Sequence, residues 1–240
     1  MYWLLILAAI APVILLLIYM WVKDMRQPEP VKWILKAVLY GVLSAFLVVL
    51  VMYPIPGVAI RGWLTAAYNA FCMAAIPEES AKLLMLWLLL RKNPYFDERL
   101  DGIVYATAVS LGFAGLENLM YLVQSLATSG SFVGTGISRA LFAVPGHFFF
   151  GVLMGFFYGL ASFGDPLKRR RYLWLAWFAP VLAHGIYDTI VMGMETTSAA
   201  LSGWIMVLFI AAFNGLRKYS VGLIDEHKFM DAQNSPSEED

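Results

Sequence analysis

Residues 2–22 read YWLLILAAIAPVILLLIYMWV, and no charged side chain interrupts them. A run of about 20 apolar residues crosses the hydrocarbon core of a bilayer as an α-helix, because a helix rises about 1.5 Å per residue. The first basic residues, Lys23 and Arg26, follow this run. A cleaved secretory signal carries its positive charge before the apolar stretch, so residues 2–22 read as a retained first span with its N-terminus outside. Six further apolar segments follow, at 33–53, 63–90, 102–126, 137–163, 172–192 and 199–213. The third and fifth exceed the length one span needs. Each holds a proline, Pro77 and Pro145, where a tilt, a break or a re-entrant approach is expected.

Composition agrees. The chain is 60% hydrophobic and 14% charged, where an ordinary soluble domain carries about 25% charged residues. Lipid must therefore serve as part of its solvent. The expected fold is all-α, a polytopic membrane bundle of about seven helices over residues 1–216. Residues 217–240 form a polar tail ending in SPSEED, expected to be partly disordered toward its end. The single cysteine, Cys72, excludes an internal disulfide and a multi-cysteine metal site, and reads as a small buried packer.

Lysine and arginine orient the bundle. Lys23, Arg26, Lys32 and Lys36 flank the first connection, Arg91, Lys92 and Arg99 fill the third, Lys168 to Arg171 form the fifth, and Arg217, Lys218 and Lys228 lie in the tail. The alternate connections hold only Arg61 and Arg139. The loaded side belongs in the cytoplasm, which puts the C-terminus inside and supports seven spans. These basic residues read as topological, so no nucleic-acid partner is expected. Asp97, Glu98 and Asp101 read as helix-start residues. His227 reads as a solvated tail residue, and Phe148 to Phe150 as packing aromatics.

What remains is a set of ionisable groups inside apolar segments: Glu78, Glu79, Lys82, Glu117, His147, His184 and Asp188. A charge near the bilayer centre costs about 2.5–3.5 kcal/mol, so these groups must face the bundle interior, pair, or line a wet cavity. Counted in helical rise, His147, His184 and Glu117 lie about 13–15 Å from the outer ends of their segments, and Glu78 about 22 Å. They converge on one layer between the midplane and the outer half. Glu78 and Lys82 are i and i+4 on one face, as are His184 and Asp188. Pro77 puts both glutamates in a first helical turn, where the backbone dipole favours carboxylates. His147 heads a stripe with Gly151, Gly155 and Gly159, and such a stripe admits a close neighbouring helix.

Paired carboxylates and a histidine–carboxylate pair in a low-dielectric site suit acid–base work on water. That is equipment for hydrolysing a peptide bond without a serine or cysteine nucleophile. Gly-x-Ser-x-Gly and His-Glu-x-x-His are both absent. His147, His184 and Asp188 also form a three-ligand zinc set, and that alternative stays open.

Three motifs on successive spans sharpen the reading. Pro77-Glu78-Glu79-Ser80-Ala81-Lys82 matches Glu-Glu-x-x-Lys, Phe113 to Asn118 matches Phe-x-x-x-Glu-Asn, and His184 to Asp188 matches His-x-x-x-Asp. In this order they resemble the PrsW family of intramembrane proteases, distant relatives of the CAAX prenyl endopeptidases and the CPBP group. The resemblance implies a multi-pass protease of a prokaryotic plasma membrane. Its archetype makes the first cut in a membrane-bound anti-sigma factor on the extracytoplasmic side, so the implied partners are lipid and a single-span membrane protein. It implies that Glu78 or Glu79 activates water and that His184 assists. Glu117 and Asp188 would orient and polarise, with Lys82, His147 and Asn118 in support. The related prenyl endopeptidases carry a histidine where this chain has Glu117, which moves the oxyanion role toward His147. The family has been described both as metal-dependent and as glutamate-dependent. The metal-free form, with no cofactor, is the expectation here, and a zinc-dependent form is its alternative.

Three rivals compete. An ion-coupled transporter also needs buried Glu, His and Lys, but the inverted repeats common in transporters are not found. A seven-span receptor lacks loops long enough to hold a ligand. A catalytically dead scaffold would not need the motifs intact. The sequence leaves the oligomeric state open.

Overall fold

In lipid every backbone amide must be satisfied within its own segment, which restricts an apolar chain of this kind to helices. The computed structural model describes residues 2–128 and 132–234, and among them there is no strand. The helices are α1 (Tyr2–Lys23), α2 (Val31–Met52), α3 (Trp63–Tyr68), α4 (Ile76–Leu90), α5 (Arg99–Ala127), α6 (Phe132–Ser138), α7 (Val144–Phe163), α8 (Arg169–Met194) and α9 (Ala199–Asn234). Two π-helical segments, Asn69–Ala75 and Arg139–Ala143, join α3 to α4 and α6 to α7 without a break. Among the described residues, five helical stretches are long and apolar enough to cross a membrane by themselves. With α1 and the α3–α4 pair the apolar segments number seven, and the chain is a multi-pass membrane protein.

The two prolines explain the π-helical segments. Pro77 and Pro145 each stand in the first turn of the α-helix that follows one. Proline lacks an amide hydrogen and crowds the carbonyl one turn earlier. Widening the preceding turn relieves that clash, so the helix widens where a break or re-entrant approach was one expectation.

The core is built on α5 and α7. Every residue from Leu100 to Ala114 is buried. The glycine stripe of α7 lies on this helix: a methyl group added to Gly155 would sit 2.3 Å from the Gly102 carbonyl oxygen, and one on Gly159 2.5 Å from that of Arg99. On its other side α5 meets α2 as closely. A methyl on Gly41 would lie 2.0 Å from the Val109 carbonyl oxygen, and one on Gly112 2.1 Å from that of Val38. Small residues admit such backbone approach, and dispersion contacts then replace the hydrophobic drive that lipid removes. Gly112→Ala is therefore expected to cost about 1–3 kcal/mol. Thermal unfolding in detergent measures it, with Gly203→Ala as control, since a methyl there meets nothing within 4 Å.

Two readings from sequence need correction. Cys72 is exposed, in the first π-helical segment, and is not a buried packer. A thiol facing lipid costs little, because it behaves as a small apolar group. Nor is His227 solvated. Helix α9 runs without interruption past Arg217, burying Ser220, Leu223, Ile224, His227 and Asp231. His227 stacks on Phe156 at 4.3 Å between ring centroids. Asp231 accepts hydrogen bonds from the Leu100 amide at 2.9 Å and from Arg99 Nη1 at 3.1 Å. The polar composition after Arg217 hid a short apolar stripe that docks on the start of α5. The final residues expected to be disordered, 235–240, lie outside the described residues.

Candidate active site

Helix α4 begins at Ile76, and its first turn carries Glu78 and Glu79. Lys82 follows one turn later on the same face, and all three side chains are buried. Lys82 is fully enclosed because its ammonium has partners on every side. It donates to Glu79 Oε1 at 2.7 Å and to His147 Nδ1 at 3.0 Å, lies 3.5 Å from Glu78 Oε2, and sits 4.1 Å above the Phe113 ring. An ammonium has no acceptor to offer, so His147 Nδ1 must be the accepting nitrogen. The ring proton is then on Nε2, which donates to Glu117 Oε2 at 2.9 Å.

His184 from α8 is the second hub. Its Nδ1 meets Glu79 Oε1 at 2.9 Å, and its Nε2 lies 3.2 Å from Asp188 Oδ2 and 4.0 Å from Glu78 Oε2. The two imidazole rings are 5.2 Å apart and nearly perpendicular. Phe150 stacks on His184 at 4.8 Å, fixing its plane. Glu117, in turn, accepts from Arg139 Nη2 at 2.7 Å, while Arg139 Nε donates to Asn118 Oδ1 at 2.8 Å. Tyr121 lies 4.1 Å beneath that guanidinium.

The structure thus gathers Glu78, Glu79, Lys82, Glu117, Asn118, His147, His184 and Asp188 from four helices into one network. It also separates the two glutamates. Glu79 is completely enclosed, locked between Lys82 and His184, whereas Glu78 lines a cavity of about 520 Å³. Glu117, Arg139, His147, His184 and Asp188 line the same cavity.

Two participants escaped the sequence reading. By its place in the chain Arg139 reads as topological, yet it holds Glu117 and Asn118. Its signal was its place, since it is one of only two basic residues on the sparsely charged side. Phe150 reads as a packing aromatic, and it packs against the His184 imidazole. No local signal separates it from Phe148 and Phe149.

Residues 29–215 match the family model described as PrsW family intramembrane metalloprotease. The chain belongs to the PrsW family. It is 36% identical over 214 residues to Protease PrsW of Geobacillus kaustophilus, covering 89% of this chain and 91% of that one. Protease PrsW of Bacillus subtilis is 37% identical over 216 residues, covering 88% and 92%. Protease PrsW of Clostridioides difficile is 32% identical over 218 residues, covering 90% and 91%. No solved structure matches. This PrsW-family chain is therefore a membrane-embedded protease, and its substrate is a membrane protein.

The family's description invites a test of the residues against a metal. One ligand atom from each of Glu78, Glu79, His147 and His184 lies within 4.8 Å of the others, which is metal-like spacing. The Lys82 ammonium, however, lies within 3.5 Å of an atom of Glu78, of Glu79 and of His147. A divalent cation placed among these donors would compete with that charge for the same lone pairs. As arranged, the set fits an ammonium and not a divalent metal.

Proposed function

We propose that this PrsW-family protease works without a metal, cutting single-span membrane proteins near their extracytoplasmic face with water activated by Glu78. The family resemblance makes an anti-sigma-factor-like protein the substrate class. One observation supports the place of the cut. The cavity lining runs from buried Glu78, His147 and His184 to Ile60, Thr135 and Glu195, at the end of the bundle poor in lysine and arginine. The positive-inside rule puts that end outside the cell.

The 4.0 Å between Glu78 Oε2 and His184 Nε2 is too long for a direct hydrogen bond. A water between them is held by both. As its oxygen bonds to the substrate carbonyl carbon, Glu78 takes its proton. Negative charge then develops on the carbonyl oxygen and is met by the Nε2–H of His184, which lies between Asp188 and the cavity. Glu78 passes the proton to the amine nitrogen as the C–N bond breaks, leaving a carboxylic acid end and an amine end. The acid's remaining proton then moves to the amine to give carboxylate and ammonium. Glu117 and Asp188 fix the two imidazoles. Glu79 neutralises Lys82 and anchors His184, and Arg139 with Asn118 holds Glu117.

The test is cleavage of a single-span substrate by purified protein in detergent, with and without strong chelator, fragments being read by mass spectrometry. Cutting near the outer end that chelator leaves untouched is the expected result. Activity lost to chelator and restored by zinc would sink the metal-free reading and move His147, His184 and a carboxylate to a metal. If folded protein cuts no member of a substrate panel, the assignment of the cavity fails.

A further inference from the structure

Far from this cavity, at the lysine- and arginine-rich end, a second group of acids converges from three parts of the chain. Asp24 follows α1, Glu98 precedes α5, and Asp101 stands in the first turn of α5. One carboxylate oxygen of each lies within 4.8 Å of the others. Glu29 joins them through its amide, which donates to Asp24 Oδ2, and its carboxylate accepts from the Tyr105 hydroxyl.

The geometry points to a second site, one that takes a hard divalent cation on oxygen ligands supplied by Asp24, Glu98 and Asp101. The acids alone would not establish this, because Asp101 and Glu98 already serve as a reciprocal helix cap. The unspent oxygens carry it. Asp24 is 1% exposed and Asp101 0%. Asp24 uses Oδ2 on the Glu29 amide, and Asp101 uses Oδ2 on the amides of Asp97 and Glu98. The Oδ1 atom of each is buried and meets no N–H donor, and the Asp101 carboxyl lies against that of Glu29. Such an oxygen forfeits its hydration for nothing unless a donor or a cation meets it. A cation with metal–oxygen distances of about 2.3–2.6 Å bridges oxygens up to about 5 Å apart, which matches the cluster.

The surrounding charges are consistent. Arg26 acts on Glu98 and Lys228 on Asp24, against the combined charge of Asp24, Glu29, Asp97, Glu98 and Asp101. Burial, followed by repulsion among the acids, pushes the carboxyl groups of Asp24 and Glu98 up to about 7. At neutral pH the cluster accordingly holds either shared protons or a cation. Bound there, a cation ties the first connection to the start of α5, the most enclosed helix of the bundle.

Terbium emission tests it, because Tb³⁺ prefers oxygen ligands and Tyr105 stands beside Glu29 as a sensitiser. The full chain in detergent is titrated with Tb³⁺, then back-titrated with Ca²⁺ and with Mg²⁺. Saturable emission that Ca²⁺ or Mg²⁺ displaces is expected, weakened at least about tenfold by Asp24→Asn and by Glu98→Gln. Both amides can still accept the backbone hydrogen bonds. Glu98 is only partly buried, so Glu98→Gln decides if Asp24→Asn fails to fold. No saturable emission, or emission unchanged in the folded variants, overturns the site and leaves the acids sharing protons.

Discussion

Glu78→Gln is expected to lower peptide-bond cleavage by about 10²–10⁴-fold, the usual contribution of a positioned general base, while the purified protein keeps its thermal unfolding profile. Glutamine matches glutamate in shape, so the cavity wall survives and only the basic oxygen is lost. The glutamate is buried but not bonded tightly, its nearest cation being Lys82 at 3.5 Å. Little structural support therefore goes with its charge. Initial cleavage rates and melting curves on the same preparation check this. If Glu78→Gln cuts as fast as the parent protein, Glu78 is not the base and the division of labour between the two glutamates is wrong.

Glu79→Ala is expected to fail differently. Its Oε1 bridges the Lys82 ammonium at 2.7 Å and His184 Nδ1 at 2.9 Å, all three groups lying out of solvent. Removing one member of a buried ion pair leaves an uncompensated charge, which costs about 3–5 kcal/mol. A large fall in melting temperature is the expected readout, accompanied by loss of cleavage. Glu79→Ala combined with Lys82→Met removes both charges, and it should recover much of the stability without recovering activity. Were Glu79→Ala as stable as the parent, the Lys82–Glu79 pair would not be what holds α4 in register with α8. Together the two glutamates make a contrast: one change should silence a sound protein, the other unfold it.

Why the two neighbours differ was not legible in the motif. Pro77-Glu78-Glu79 offers two carboxylates about 100° apart on a helix, and nothing in that spacing says which faces a cavity and which faces a lysine. The choice rests on where α7 and α8 stand relative to α4, since His147 holds Lys82, and Lys82 and His184 together enclose one oxygen of Glu79 and leave Glu78 at the wall. Arg139 was obscured for a related reason. Its charge counts toward orientation wherever its side chain points, and only the approach of the α6–α7 junction to α5 brings it onto Glu117.

The tail shows the opposite failure. Between Arg217 and Asp231 the composition is that of a solvated segment, yet Leu223, Ile224 and His227 recur at the spacing of one helical face. Composition averaged over a window conceals a stripe three residues wide. The stripe mattered because the start of α5 presented Arg99 and Phe156 lay beside it, and neither fact is local to the tail.

The sequence by itself determined what depends on local chemistry. Apolar length set seven helical segments, because lipid tolerates no unsatisfied backbone. Pro77 and Pro145 set where two of them would distort, and Glu78, Glu79, Lys82, Glu117, His147, His184 and Asp188 stood out because each opposes insertion. The glycine stripe on α7 announced a close partner without naming it. Only the tertiary structure decided that the partner is α5, that Lys82 lies among the candidate metal donors, that Glu78 faces the cavity, and that Asp24 meets Asp101. Helical periodicity fixes which side chains share a face of one helix. The register between helices comes from the summed packing of many small contacts, and no single segment encodes it.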